Sequence, residues 1–402
     1  MTDPVYLSKP GVVCAAGSSV DELWRSCVAG DRSGIKKVRA LSGKEFFVGR
    51  ADDKVLHKTA ARFDMRSIRL EDAALVQIER DIFAALSAYG PSRVAVCVGS
   101  CDNGTELSLP AHAAFIEDGA FPSGYTLEVQ GADYAATYVS EKYGIRGPAL
   151  AFSTACSSSA GAIIKAAELL KSGLADAVIA GGVDVASDTV LLGFDSLEAV
   201  SPEITNPLSA NRKGITLGEG AAFFVMTRDA LKDGEPVRLF GWGESADAYH
   251  MTSPDPSGAG AARAMKAALV RAELMPDQID YINLHGTGTK FNDAMEAKAV
   301  AEVFADHSVS VGSTKPLTGH TLGAAGALEA AICYTALVQN AEKTGDDIAL
   351  PKHVWDGEYD PDLPPLNIAG AVGAKQTGRV KICMSNSFAF GGANASLVLG
   401  LT

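Results

Sequence analysis

The sequence lacks an excess of positive charge: 35 Lys and Arg stand against 48 Asp and Glu, a formal net charge of −13. That excludes a general nucleic-acid binder, because phosphate affinity rests on clustered cations. It also lacks a CxxC pair or any Cys/His spacing suited to a metal, so the seven cysteines (14, 27, 97, 101, 156, 333 and 383) describe neither a zinc site nor a disulfide framework. No run reaches the ~20 apolar residues of a membrane span. The opening MTDPVYLSKPG has no basic segment leading into an apolar one. These absences predict a cytoplasmic protein with no membrane span, in a reducing compartment. Proline is sparse (17) and no low-complexity tract occurs, which argues against disorder.

What is present can bury a large core. At 402 residues, 47% hydrophobic and 21% charged, the chain fits one large α/β domain or two of ordinary size. Its 41 glycines, with abundant alanine, favour close helix packing. Strand patterns at 4–14, 93–99, 175–182 and 221–227 alternate with helical ones at 20–29, 62–86 and 126–143. A composition break at Lys232-Asp233-Gly234-Glu235-Pro236 follows. The alternation then resumes, with strands at 237–242, 281–284 and 308–312, helices at 259–273, 293–304 and up to 339, and a closing hairpin-like pair at 380–387 and 393–399. Element order thus predicts an α/β fold of two duplicated halves, 1–232 and 233–402, although their residue identities do not match.

The chain is organised around residues 149–170, ALAFSTACSSSAGAIIKAAELL. A short apolar run ends in Ser-Thr-Ala-Cys, and apolar residues then recur at Ala160, Ile163, Ile164, Ala167 and Leu170, so the stretch reads as strand, sharp turn, helix. Cys156 falls in the turn, where unpaired N–H groups and the helix dipole favour a thiolate. The alternative is a small buried cysteine packing as a hydrophobe. Two histidines stand in settings of small residues, His285 in NLHGTGT and His320 in STKPLTGH. Each alone could be structural; together they argue for one site that a substrate can approach. Lys315 precedes His320 by five residues, and Asp293 and Glu296 share a helix face just after the first histidine loop. A buried lysine with a carboxylate could orient a histidine, or these could form an ordinary surface salt bridge. The loop NSFAFGGAN at 386–394 offers backbone donors that could polarise a carbonyl oxygen, or is merely a tight turn.

Jointly these motifs resemble those of the β-ketoacyl-acyl carrier protein synthases of the elongating, Cys-His-His type, in the thiolase-like superfamily. TACSSS around Cys156, HGTGT at 285–289, STKPLTGHTLGAAG at 313–326 and NSFAFGGAN at 386–394 stand in that family's order and spacing, and YHMTSP at 249–254 resembles it too. The resemblance implies a five-layered αβαβα fold and a homodimer, or a heterodimer with a related subunit. It implies an enzyme without metal or redox cofactor, whose malonyl and acyl thioesters arrive on the phosphopantetheine of acyl carrier protein. Cys156 would accept the acyl group. His285 and His320 would assist decarboxylation and hold the enolate oxygen, with Lys315, Asp293 and Glu296 as the supporting charge network. The N–H groups of Cys156 and Phe390 would form the oxyanion hole, with Phe390 also gating, and Thr287 and Thr289 would bond the pantetheine arm. Such a site needs both imidazoles within roughly 5 Å of the sulfur.

The sequence departs from the family's pattern in places. Leu208 and Ser209 stand where its loop usually has Phe and Asp, Arg212 is kept, and Ala389 replaces a glycine between two phenylalanines, which should stiffen the gate. Asp102 and Asn103 fall where the acyl pocket is usually apolar, and Asp133 lies in the segment expected to reach a partner subunit. They suggest a partly polar pocket for an unsaturated, aromatic or oxygenated chain, as in aryl-polyene or polyketide-like pathways, unless they cap helices or face solvent. Because the carrier protein is itself acidic, a local basic patch is expected, with Arg62, Arg66 and Arg69 as candidates. Two other readings are a non-catalytic partner subunit of the chain-length-factor kind, which would lack the nucleophilic cysteine, and a degradative thiolase. The latter needs a second catalytic cysteine, and Cys383 sits among apolar residues instead.

Overall fold

The computed structural model describes residues 4–401 apart from 103, 231–235, 306 and 376. The expected boundary at 232/233 and Asn103 lie outside the described residues.

In the first half, Val94–Gly99 runs parallel to both Ala149–Phe152 and Ala177–Asp184; Gly220–Thr227 then pairs antiparallel with Ala177–Asp184 and with Gly11–Cys14. In the second, Tyr281–Asn283 runs parallel to Ser310–Gly312 and Ile382–Phe388, followed antiparallel by Ala393–Leu401 and Val237–Ala246. Numbered within each half, both have strand order 3-2-4-5-1. The duplication that element order suggested is therefore present as topology. Tyr6–Leu7 pairs with a strand from each half and joins them, and the short edge strand Asn367–Ile368 beside Ser310–Gly312 completes one 12-stranded sheet.

Strands such as Val94–Gly99 and Ala177–Asp184 are buried at every residue, as continuous apolar runs must be when both faces are covered. Helices Arg66–Leu75, Glu79–Tyr89 and Tyr134–Tyr143 cover the outer face of the first half. Ala259–Ala272 and Lys290–Val303 cover that of the second. Between the inner faces lie Ser158–Lys171 and Ala325–Gln339, packed on each other. The result is five layers, αβαβα. The central position explains why Ala325–Gln339 is apolar all round. The stretch Leu322–Gln339 is long and apolar enough to cross a membrane, yet 89% of it is buried inside the protein.

Several boundaries differ from expectation for identifiable reasons. The strand expected over 4–14 is broken at Ser8–Pro10, since proline cannot donate to a ladder. The helix expected over 126–143 splits into Leu127–Gln130 and Tyr134–Tyr143 across Gly131. Helix Thr105–Asp118 was not legible: it carries Pro110 internally and buries only Ser108 and Ala111, so it has no apolar stripe.

Candidate active site

The turn expected around Cys156 is present. Strand Ala149–Phe152 leads into the tight turn Ala155–Ser157, and helix Ser158–Lys171 follows. Ala155 adopts the left-handed conformation, φ 52°, a strain that alanine tolerates only when its surroundings hold it. Here Ser158 Oγ accepts the Thr154 N–H at 2.9 Å and donates to the Ala155 carbonyl at 2.6 Å. Gly99 lets the helix start press on its strand, since a Cβ there would lie 2.3 Å from Ser159 N.

The imidazoles come from the other half. His285 follows strand Tyr281–Asn283. His320 is pinned as an extra rung beside 216–218, its N–H donating to Thr216 O at 2.7 Å and its carbonyl accepting Gly218 N–H at 2.9 Å. His320 Nε2 lies 3.1 Å from Cys156 Sγ. The sulfur and one ring nitrogen from each histidine all lie within 4.8 Å of one another, inside the required ~5 Å. The three groups are buried at the foot of a cavity of about 470 Å³.

Burial governs the protonation of this site. It pushes the Cys156 thiol up to about 11, against the opposing pull of the Lys315 ammonium and of the Phe390 and Cys156 N–H groups. The helix terminus therefore does not yield a resting thiolate, contrary to expectation, because desolvation outweighs it. Burial and the Lys315 charge hold His285 and His320 well below the usual histidine range, so both are neutral. Lys315 Nζ lies 3.4 Å from His285 Nδ1. An ammonium can only donate, so Nδ1 accepts and His285 carries its proton on Nε2, the nitrogen left for the substrate.

The charge network differs from the expected one. Lys315 pairs with Glu329, which the sequence reading missed. Glu296 accepts the N–H groups of His285 (2.8 Å) and Gly286 (2.7 Å) and so fixes the histidine loop. Asp293 does not reach Lys315. It binds the Leu208 N–H at 2.8 Å and the Gly288 N–H at 3.1 Å, with Arg212 at 3.9 Å, tying the histidine loop to the 205–214 loop. Asp184 was also missed; it accepts the N–H groups of Cys101 (2.9 Å), Asp102 (2.8 Å) and Gly323 (2.7 Å). A signal existed for both, since Glu329 is the one charged residue in an apolar helix and Asp184 ends a buried strand.

Phe390 closes one wall of the cavity, stacked on Phe194 at 5.5 Å between ring centroids. Ala389 sits at φ −107°, ψ 156°, where alanine fits without strain. Thr287 and Thr289 line the cavity with their hydroxyls 3.1 Å apart, and Thr289 also caps helix Lys290–Val303. Asp102 is not among the cavity-lining residues: one oxygen holds Thr105 at the start of helix Thr105–Asp118, and the other is buried with no hydrogen-bond partner among the described residues. Asp133 is exposed just before helix Tyr134–Tyr143, away from the cavity. Arg62, Arg66 and Arg69 do not form a free cationic patch. Arg62 meets Glu128 and Glu141, Arg66 meets Asp53 and the buried Glu219, and Arg69 meets Asp64. The acidic excess of the chain neutralises them locally.

Comparison with known proteins agrees with this geometry. Residues 10–231 match the family model for the β-ketoacyl synthase N-terminal domain, and 238–342 the one for its C-terminal domain. The chain is 33% identical over 416 residues to 3-oxoacyl-[acyl-carrier-protein] synthase 2 of Coxiella burnetii, covering 98% of each. It is 32% identical over 408 residues to nodulation protein E of Rhizobium meliloti, again covering 98% of each. Among solved structures it is similar to a ketosynthase in complex with its chain length factor from Xenorhabdus doucetiae, with TM-score 0.89, 36% identity, and coverage of 100% of this chain and 98% of that one.

Proposed function

The chain belongs to the β-ketoacyl synthase family, and we propose that it joins an acyl group held on Cys156 to a malonyl unit delivered on acyl carrier protein, with loss of CO₂. The observation that carries this reading is the thiol 3.1 Å from His320 Nε2, with His285 beside it, at the foot of one cavity.

The acylation step follows from the resting protonation. A thiol held at about 11 beside a neutral imidazole gives up its proton only as its sulfur attacks the incoming thioester carbonyl. The S–C bond forms, the pantetheine sulfur leaves, and the proton passes through His320 to that leaving group. The Cys156 and Phe390 N–H groups, which meet the sulfur in the resting site, supply the donors for the oxygen that becomes negative. In the second step the malonyl C–C bond breaks to release CO₂, and its electrons move onto the thioester oxygen as an enolate. His285 donates Nε2–H to that oxygen, its tautomer set by Lys315. The enolate carbon attacks the acyl carbonyl, the C–S bond to Cys156 breaks, and the departing thiolate takes a proton that originates in solvent and is passed through His320.

The carrier protein docks at the cavity mouth, where Lys213 and Lys290 stand with the exposed Phe291. The Lys213–Glu203 pair is exposed and so holds Lys213 only weakly. A second subunit of the same fold covers the bare sheet edge Ala149–Phe152, immediately before the Cys156 turn. Asp102 caps helix Thr105–Asp118 and Asp133 faces solvent, neither of them lining the cavity, so they lend no support to a partly polar acyl site. Cys156 with both histidines speaks against the non-catalytic partner subunit. The experiment is to incubate the chain with acyl- and malonyl-carrier protein and follow the mass of the Cys156 peptide and of the product. Acylation of Cys156 and a 3-oxoacyl product support the reading; a Cys156→Ala chain that still condenses would overturn it.

A further inference from the structure

We infer that His353 is a positioning residue for the two imidazoles, joining the loop that carries Lys315 and His320 to the loop at the cavity mouth. The inference rests on the reading above and adds a residue to it.

His353 lies past the matched C-terminal family domain, in the segment HVWDGEYD at 353–360. Its ring is buried and bridges two main-chain groups that are far apart in sequence. Ser313 donates its N–H to His353 Nδ1 at 3.0 Å, and Pro207 O lies 3.1 Å from Nε2. A backbone N–H can only donate and a carbonyl can only accept, so the ring is the neutral Nε2–H tautomer. Burial lowers its pKa to about 4, which keeps it so.

Each end of this bridge reaches the chemistry. Ser313 Oγ donates to Gly286 O at 2.7 Å, next to His285, and accepts the Lys315 N–H at 3.3 Å. The position of Ser313 therefore sets where Lys315 meets His285 Nδ1. On the other side, Leu208, the residue after Pro207, donates to Asp293, and Gly214 N–H donates to Gly288 O at 3.0 Å. The same segment grips the mouth loop again: Asp356 accepts from Ser209 Oγ (3.0 Å) and Asn211 Nδ2 (2.9 Å), and Asp360 pairs with Arg212. Ser209 and Leu208 were the residues at which this loop departs from the family's pattern. The 353–360 segment supplies the anchorage here, and His353 is the residue through which it bonds the loop that carries Lys315 and His320.

The test uses the full chain as wild type, His353→Leu, His353→Gln and His353→Asn. Four readouts are compared: kcat and KM for malonyl-carrier decarboxylation, the rate of Cys156 alkylation by iodoacetamide, and the melting temperature. Leucine removes both bonds, and a supporting residue of this kind is worth about 10–100-fold. The expected result is a kcat loss of that size, with KM and the alkylation rate unchanged. Glutamine, whose Oε1 accepts and whose NH₂ donates, restores most of the loss. Asparagine reaches one partner only and falls between, and it stands in for leucine should that chain not fold. Unchanged kcat in the leucine or asparagine chain, a glutamine chain as slow as either, or an alkylation rate that falls in step with kcat would each overturn the assignment. A wild-type chain that decarboxylates no malonyl-carrier thioester would remove the functional reading, and this assignment with it.

Discussion

Replacing Lys315 by methionine separates the two chemical steps. The ammonium lies 3.4 Å from His285 Nδ1 and pairs with Glu329, both in full burial. Without it nothing specifies which nitrogen of His285 holds the proton, and the donor to the enolate oxygen is lost in part of the molecules. A hydrogen bond to a charged group is worth about 1.5–3 kcal/mol, which at ~1.4 kcal/mol per decade is a loss of about 10- to 150-fold in malonyl decarboxylation. Acylation of Cys156 depends on the sulfur, His320 and the two N–H groups, and should change far less. Decarboxylation is read as conversion of malonyl- to acetyl-carrier protein, acylation as the mass of the Cys156 peptide. Stability changes too. Removing one partner of a buried pair costs about 3–5 kcal/mol unless the other neutralises. Burial raises Glu329 to about 7 even with Lys315 present. A carboxyl raised from its unfolded value contributes stability that is present below that value and is lost as pH rises through the folded one. Lys315→Met should therefore melt higher at pH 6 than at pH 8, and adding Glu329→Gln should flatten that dependence without restoring decarboxylation. Equal losses of acylation and decarboxylation, or full decarboxylation in the single variant, would refute the reasoning.

Four further outcomes follow. Iodoacetamide alkylation of Cys156 should climb ~10-fold per pH unit from pH 7 to 10, since burial holds the thiol up to about 11; a plateau below pH 8 would show a resting thiolate instead. Arg66→Ala should destabilise the fold by about 1–3 kcal/mol in thermal or denaturant unfolding, because it strips a partner from the buried Glu219, whereas Arg62→Ala, at an exposed pair, should leave the melting temperature unchanged. Asp184→Asn should cost about 2–4 kcal/mol, because an amide cannot accept the Cys101, Asp102 and Gly323 N–H groups together; an unchanged unfolding midpoint would contradict it. Lys213→Glu with Lys290→Glu should weaken carrier-protein binding at low salt and much less at high salt, and a salt-independent loss would mean that the mouth acts through shape alone.

How much of this was legible in the sequence follows from what each feature depends on. Strands buried on both faces announce themselves as unbroken apolar runs, so 93–99 and 221–227 were placed within one residue of Val94–Gly99 and Gly220–Thr227. Residues whose role is set by a local turn were legible as well: Cys156 by the strand-turn-helix around it, His285 and His320 by their small neighbours. Partnerships between distant segments were not. The resemblance grouped Asp293 with Lys315 and Glu296 in one charge network, but the helix directs Asp293 at Leu208 and Gly288, while Glu329 reaches Lys315 from the central layer. The arginines failed for the same reason. Arg69 is taken by the nearby Asp64, but the carboxylates that consume Arg62 and Arg66, namely Glu128, Glu141, Asp53 and Glu219, are placed there by the fold.

The five layers also explain the electrostatic character of the site. The nucleophile and the imidazoles come from opposite halves, so they can meet only at the join, and that join is among the most deeply buried parts of the molecule. Burial at that depth disfavours every charged form: it raises the thiol and lowers both histidines. Lys315 stands among them paired with Glu329 and directed at His285. A site of three neutral groups has little charge to stabilise in its resting state. The Cys156 and Phe390 N–H groups meet the sulfur in this resting state, and under the proposed reaction they and the His285 Nε2–H would act on charge that develops only as it proceeds, the condition under which such donors lower a barrier rather than tighten ground-state binding.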